Sequence, residues 1–209
     1  MLAEWRTSIL ITFEGPEGGG KTTQVKLALD ALKALGKDVV ATREPGYGSL
    51  GKEFRRFLLN PEPGEEPGPM TELMILMADR ANHVEKMIRP ALNAGQIVLC
   101  DRYVDSTRAY QGYGRGIDVW SIDFMNTLVT QECWPDLTLF LDIGVEDGLN
   151  RSQDVNRMER ESISFHKRVA YGFRVCCDEY QNRVVQVMAN RSIEAVHAQV
   201  MDNILRKIG

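Results

Sequence analysis

Short runs that are apolar throughout alternate along this chain with longer stretches in which apolar positions recur every three or four residues. Residues 8–13 predict a strand, and a helix follows from about 21 to the glycine at 36. Residues 38–42 predict a second strand, and 71–94 a long helix closed by Gly95. A third strand is expected at 96–100, a helix at 118–131 and a fourth strand at 137–142. The pattern ends with a helix over 162–182, a strand over 183–188 and a helix over 192–207. Strands apolar on both faces and separated by helices imply a parallel sheet covered on both sides. The expected architecture is a three-layer α/β fold with a parallel five-stranded sheet, forming one domain over 1–209. Such sheets bind ligands at the carboxyl ends of their strands. Residues 60–69, rich in proline and glycine, predict a surface loop without chemistry of its own.

The chemistry begins directly after the first strand. Gly15, Gly20, Lys21 and Thr22 fit the spacing G-x-x-x-x-G-K-[ST], with Gly18 and Gly19 inside the loop. The loop follows a strand and opens a helix, which is the context a phosphate-binding P-loop requires. Glycines let backbone N–H groups close around phosphate oxygens, and the helix N-terminus adds partial positive charge. Lys21 is expected to reach the β- and γ-phosphates of ATP, and Thr22 to offer its hydroxyl to Mg²⁺. At the end of the third strand stand Asp101 and Arg102. A carboxylate there suits the Mg²⁺ side of a P-loop, and the neighbouring guanidinium can clamp an anionic substrate.

Composition narrows the partners. The 209 residues carry a net charge of −4 and are 44% hydrophobic, enough for a sizeable core. The acidic balance, without aromatic–basic interleaving, argues against a nucleic-acid backbone as ligand. No apolar run approaches a membrane span, and residues 1–6 are too short and polar for a signal peptide. Cys100, Cys133, Cys176 and Cys177 have neither metal-binding nor CxxC spacing and are expected to be reduced thiols. A cytoplasmic protein is the expectation. His83, His166 and His197 are expected to be structural, Trp5 and Trp120 to pack, and Asp30, Asp79 and Glu85 to lie on solvated faces.

Several segments together resemble the bacterial type of thymidylate kinase over nearly the whole chain. They are Phe13-Glu14-Gly15-Pro16-Glu17-Gly18, Thr42-Arg43-Glu44-Pro45-Gly46, and Asp101-Arg102-Tyr103 running to Ala109-Tyr110-Gln111-Gly112. Gly114-Arg115-Gly116 and Asn156-Arg157-Met158-Glu159 add to the resemblance. It implies a P-loop kinase using ATP and Mg²⁺, with an acceptor-binding region over about 43–115, a lid over about 150–161, and a homodimer. Gly15, Gly18, Gly20, Lys21, Thr22, Thr23 and Arg151 would then hold ATP, with Thr22 and Asp101 on the metal. Lys21, Asp101, Arg102 and lid residue Arg157 would be catalytic, since position 18 is not an arginine. Glu17 would hold the acceptor's 3′-hydroxyl, and Arg43, Arg55 and Arg102 its phosphate. Arg80 would read the pyrimidine edge with Ser106 and Thr107 nearby and Gln111 close to the nucleotide, while Tyr110 would bar a 2′-hydroxyl. Leu76 stands where relatives usually place a phenylalanine that stacks on the base. The acceptor is therefore dTMP, or else another or 5-modified pyrimidine deoxynucleotide. A P-loop ATPase switch or binding module without acceptor is the reading from a different class.

Overall fold

The computed structural model describes residues 8–152 and 156–209. Trp5, the segment 1–6 and positions 153–155 of the expected lid lie outside the described residues. Among the described residues, strands β1 (Ile9–Glu14), β2 (Val39–Arg43), β3 (Ile97–Asp101), β4 (Leu137–Asp142) and β5 (Val184–Met188) form one sheet. Their order is β2-β3-β1-β4-β5, and every pairing is parallel. β1 is therefore central, buried along its whole length, and its two flanking strands differ in direction of crossover. That reversal opens a crevice at the carboxyl edge, where the P-loop stands.

Helices cover both faces, as the apolar strands require. On one face α1 (Lys21–Ala34) and α9 (Ile193–Ile208) bury Val25, Leu32, Val196 and Val200 against β1, β3 and β4. The other face is covered by a helical segment running Pro69–His83 (α3), then Val84–Ile88 with wide i→i+5 bonding, then Arg89–Asn93 (α4). This is the predicted 71–94 helix. The wide turn lies just ahead of Pro90, whose missing N–H and ring bulk disfavour the regular ladder. Pro69 occupies the first helical turn, where it needs no N–H partner, so the predicted loop ends one residue sooner. α8 (Ile163–Glu179) adds Phe165, Val169 and Phe173 to a third cluster with Phe140.

Several elements had no counterpart in the periodicity. They are α2 (Gly48–Leu59), α5 (Val104–Thr107) with the wide-turned Arg108–Gly114, and α7 (Val145–Arg151). Each is short or glycine-containing, so the apolar repeat is weak. α6 (Val119–Thr130) lies where expected. Two expectations on single residues fail. Trp120 is 73% exposed, stacked on Phe124 at the outer face of α6. Asp79 is buried, and the backbone N–H of Gly46 donates to its carboxylate there at 3.2 Å. Asp30 and Glu85 are exposed as expected. No disulfide links the cysteines, and no helix among the described residues is long and apolar enough to cross a membrane.

One buried ion pair ties the start of α5 to the sheet. The Arg183 guanidinium donates to both oxygens of Asp105 at 2.7 and 2.8 Å, and Thr138 donates to the same carboxylate at 3.0 Å. Removing one member of such a pair strands the other charge. Asp105→Ala should lower unfolding free energy by about 3 kcal/mol, read as a fall in the urea midpoint with an unchanged slope.

Candidate active site

The P-loop bends tightly because two of its glycines have no room for a side chain. A Cβ on Gly15 would come 2.5 Å from the Leu141 carbonyl, and one on Gly18 would run into the backbone of Gly148. Both have positive φ, at 139° and 69°. Lys21 opens α1 and folds over the loop, its ammonium donating to the Pro16 carbonyl at 2.6 Å. Thr22 donates to Asp101 at 2.5 Å, so β1's loop and β3's end meet at a pair of oxygens. The Arg43 guanidinium lies on the same pair, 3.1 Å from Asp101 and 3.2 Å from the Thr22 hydroxyl. A cation already sits against this hydroxyl–carboxylate pair, and the hard oxygen donors suit Mg²⁺.

Arg102 is placed by its backbone. Its φ is +70°, its N–H donates to the Phe13 carbonyl, and the next N–H donates to Glu14 at 2.7 Å. A non-glycine residue in this region persists only where its surroundings hold it. Glu14 does so by also accepting from the Ser106 hydroxyl. Burial, reinforced by the nearby charge of Asp105, pushes Glu14 up to about 7 against those hydrogen bonds. The Arg102 side chain crosses the cleft to donate to the Gly15 carbonyl at 2.9 Å, Glu17 at 2.9 Å and Ser106 at 3.2 Å. It also lies over the Tyr110 ring, 5.0 Å from its centroid, and the Tyr110 hydroxyl donates to the same Glu17 oxygen at 2.9 Å. Burial opposes the charge on Glu17, but Arg102, Lys21 and the Tyr110 hydroxyl win and hold it at about 2.

The far wall belongs to α3. Arg80 is 2% exposed, donating to Glu44 at 2.8 Å and to Asn126 at 2.5 Å, with its guanidinium 5.1 Å from the Tyr103 ring. Glu44 also receives His83 Nδ1 at 2.9 Å, while His83 Nε2 meets Thr42 at 2.7 Å. Arg55, on α2, donates to the Pro45 carbonyl. One turn before Leu76, Glu72 accepts from Gln111 at 2.6 Å, from Arg115 at 3.2 and 3.3 Å, and from Arg157.

Most of these groups border one cleft of about 270 Å³, while Glu14, Thr42, His83, Arg115 and Asn126 stand outside its lining. Of the residues singled out from sequence, Glu17, Gly18, Gly20, Lys21, Thr22, Thr23, Arg43, Arg55, Leu76 and Arg80 line it. So do Asp101, Arg102, Ser106, Thr107, Tyr110, Gln111 and Arg157. Gly15 is not in the lining, its carbonyl being taken by Arg102, and Arg151 stands apart, at the end of α7, donating to the Ala189 carbonyl at 2.9 Å. Arg157 is drawn to the α3 wall, onto Glu72 and the Leu58 carbonyl. Sequence reasoning missed Glu72, Leu58 and Leu59 as wall residues and Glu14 as a support. Glu72 was legible in principle: Glu72, Leu76 and Arg80 recur every four residues and so share one helix face.

A glycine loop between a central parallel strand and its helix, sharing one cleft with a cluster of arginines, defines a P-loop phosphotransferase. The comparisons are specific beyond that class. A family model described as thymidylate kinase matches residues 13–200. The thymidylate kinase of Nostoc punctiforme is 46% identical over 201 residues, 94% of this chain and 95% of that protein. That of Halothermothrix orenii is 42% identical over 198 residues, 92% and 94% of the two chains. The crystal structure of thymidylate kinase from Ehrlichia chaffeensis matches with a TM-score of 0.80 at 34% identity, over 94% of this chain and 98% of that one. This chain belongs to the thymidylate kinase family, and its enzyme class is nucleoside monophosphate kinase.

The site's electrostatics give a pH dependence. Burial, aided by the Arg102 charge, lowers Lys21 to about 8. An ammonium attracts phosphate oxygens only while it is protonated, so affinity for a nucleotide phosphate placed there is expected to be full below that value and to fall as pH rises through it. Titration of an ATP analogue between about pH 7.5 and 9.5 should show this loss in the wild type and a flat profile in Lys21→Arg.

Proposed function

We propose that this enzyme transfers the γ-phosphoryl group of ATP to dTMP, giving dTDP and ADP. The observation that carries the reading is a single cleft lined both by the P-loop residues Lys21 and Thr22 and by Arg43, Arg55 and Arg102. A switch ATPase needs no second arginine cluster, and the family membership supports a kinase with thymidylate as acceptor.

The residues fit distinct tasks. The P-loop amides and Lys21 hold the donor's phosphates, with Thr23 and Arg151 on the donor side. Thr22 and Asp101 would hold Mg²⁺ through the oxygen pair that Arg43 now touches. The ion, when bound, neutralises charge on the β- and γ-phosphates. Arg102 stands between Glu17 and the P-loop, where it can bind the acceptor phosphate and the transferring group together. Glu17, ionised throughout the neutral range, accepts a hydrogen bond from the sugar 3′-hydroxyl. Arg80, immobilised by Glu44 and Asn126, presents its edge to the pyrimidine beside Ser106, Thr107 and Gln111. Nearly all the machinery is prealigned, so the donor and acceptor meet oriented groups and little remains to be reorganised.

A homodimer and a cytoplasmic setting complete the reading. α6 exposes Trp120, Phe124 and Leu128 at four-residue spacing, and neighbouring α3 exposes Met70 and Met74. Aromatic and methionine side chains gathered on outer helix faces suit burial against a second copy. Small-molecule nucleotides, and not a nucleic-acid backbone, fit the net charge of −4.

The test is turnover of a panel of nucleoside monophosphates with ATP and Mg²⁺, with ATP consumption also measured without acceptor. ATP consumption at the same rate without acceptor, and no product with dTMP, would reject the kinase reading. In the same panel, Tyr110→Ala should lower the deoxy-to-ribo ratio of kcat/KM by on the order of tenfold. An unchanged ratio would leave Tyr110 as packing around Glu17. Leu76 offers the base apolar contact but no π-face, and stacking on an aromatic ring is worth about 1–3 kcal/mol. Leu76→Phe should therefore lower the KM for dTMP several-fold and penalise acceptors with bulky 5-substituents.

A further inference from the structure

Glu72 is the least expected charge in the cleft. It is 2% exposed, on an acceptor-side helix, with no place in the sequence motifs. Its carboxylate gathers groups from two separate parts of the chain: Gln111 and Arg115 from the segment after β3, and Arg157 from the expected lid. Burial opposes its charge, yet the hydrogen bonds of Arg115, Arg157 and Gln111 hold its pKa below the usual carboxylate range.

Its partners are not equivalent. Gln111 and Arg115 rise from one wide-turned helix end that packs on α8, and Arg115 is held again by Glu161 at 2.6 Å and lies over the Phe165 ring. Arg157 instead follows positions 153–155 and is fastened from outside. Its N–H donates to the Leu59 carbonyl at 3.0 Å, its Nε to Leu58 at 2.9 Å, and its terminal nitrogen to Glu72. If Arg157 leaves, Glu72 still accepts from Gln111 and from two nitrogens of Arg115, so the buried carboxylate is not orphaned. Departure of Arg115 would also leave Gln111 and Arg157 on Glu72, but it would break the ion pair with Glu161 as well, so two carboxylates would lose a partner at once. The network is thus built so that one guanidinium can detach at modest cost.

We propose that Glu72 is a positioning residue for phosphoryl transfer: it parks Arg157 on the α3 wall and competes for it with the phosphates of bound ATP. This rests on the kinase reading above and on Arg157 as the lid cation. On the wall Arg157 has its Nε on the Leu58 carbonyl and a terminal nitrogen on Glu72, so these donors have to leave the wall to serve the phosphates. The resting pair keeps the arginine charge neutralised near the acceptor wall, and ATP must displace it. Whatever strengthens the pair weakens donor binding, and the reverse, by linkage.

The test is Glu72→Gln, which keeps the side-chain shape and an oxygen for Arg115 but removes the charge that holds Arg157. The variant should bind an ATP analogue on the order of fivefold tighter than wild type. That gain should vanish when Glu72→Gln is compared with the charged residue in an Arg157→Ala background, since no arginine is left to release. A purely structural role would shift both backgrounds alike. If the gain is absent, or is the same with and without Arg157, the proposal fails. Should Glu72→Gln not fold, the wild type suffices: the ¹⁵N resonance of Arg157 Nε should shift when saturating analogue is added, and an unmoved resonance overturns the idea. Turnover of dTMP by the same wild-type preparation reports separately on the kinase reading, so the two can fail independently.

Discussion

A site for two polyanions has to be dense in cations, and buried cations are costly unless something neutralises them when the anions are away. In this molecule the answer is a carboxylate under most arginines of the cleft, with a backbone carbonyl under Arg55. Arg102 rests on Glu17, Arg43 on Asp101, Arg80 on Glu44, and Arg157 with Arg115 on Glu72. These pairs do more than balance charge. Each carboxylate is anchored on a different element, so each pair also aims its guanidinium. Glu44 at the end of β2 holds Arg80 on α3, and Asp101 at the end of β3 meets Thr22 on α1. The cleft is prealigned because its cations are already spoken for.

The sheet makes this possible. A parallel sheet with β1 in the centre brings the ends of β1, β2 and β3 to one edge, and the loops that leave those ends carry the chemistry. The left-handed Arg102 is the price of that crowding: the chain must turn away from β3 at once for its side chain to reach back over the P-loop. Glu14, at the last position of β1, supports the turn by accepting from the Tyr103 N–H and the Ser106 hydroxyl. Its carboxyl is pushed up by burial, and it stands outside the lining of the cleft.

Local rules read well where one kind of information is dense. The P-loop is a run of glycines ending in Lys21 and Thr22, and its role follows from backbone freedom and helix polarity alone. The three central strands announced themselves because both their faces are buried, which leaves no polar alternation to misread. Reading failed where the signal was short or ambiguous. α2 carries glycines at 48 and 51, and α7 has only seven residues, so neither shows a sustained repeat. Asp79 looks like any acidic residue on a helix, and Trp120 like any aromatic seeking a core. Only their surroundings, the Gly46 N–H for one and an outer helix face for the other, decide otherwise.

The amino-acid sequence by itself determined the class of fold, the phosphate loop, the order of elements and the residue types at the strand ends. All of these depend on neighbours within a few positions, or on a repeat that a single helix or strand expresses. The tertiary structure decided which charges meet. Arg157 and Glu72 lie 85 positions apart, Arg102 and Glu17 lie 85, and Arg183 and Asp105 lie 78. Nothing local distinguishes the arginine that parks on Glu72 from the one that crosses to Glu17. Charge pairing at such separations is chosen by which surfaces the hydrophobic core presses together, and that is settled only when the whole chain has packed.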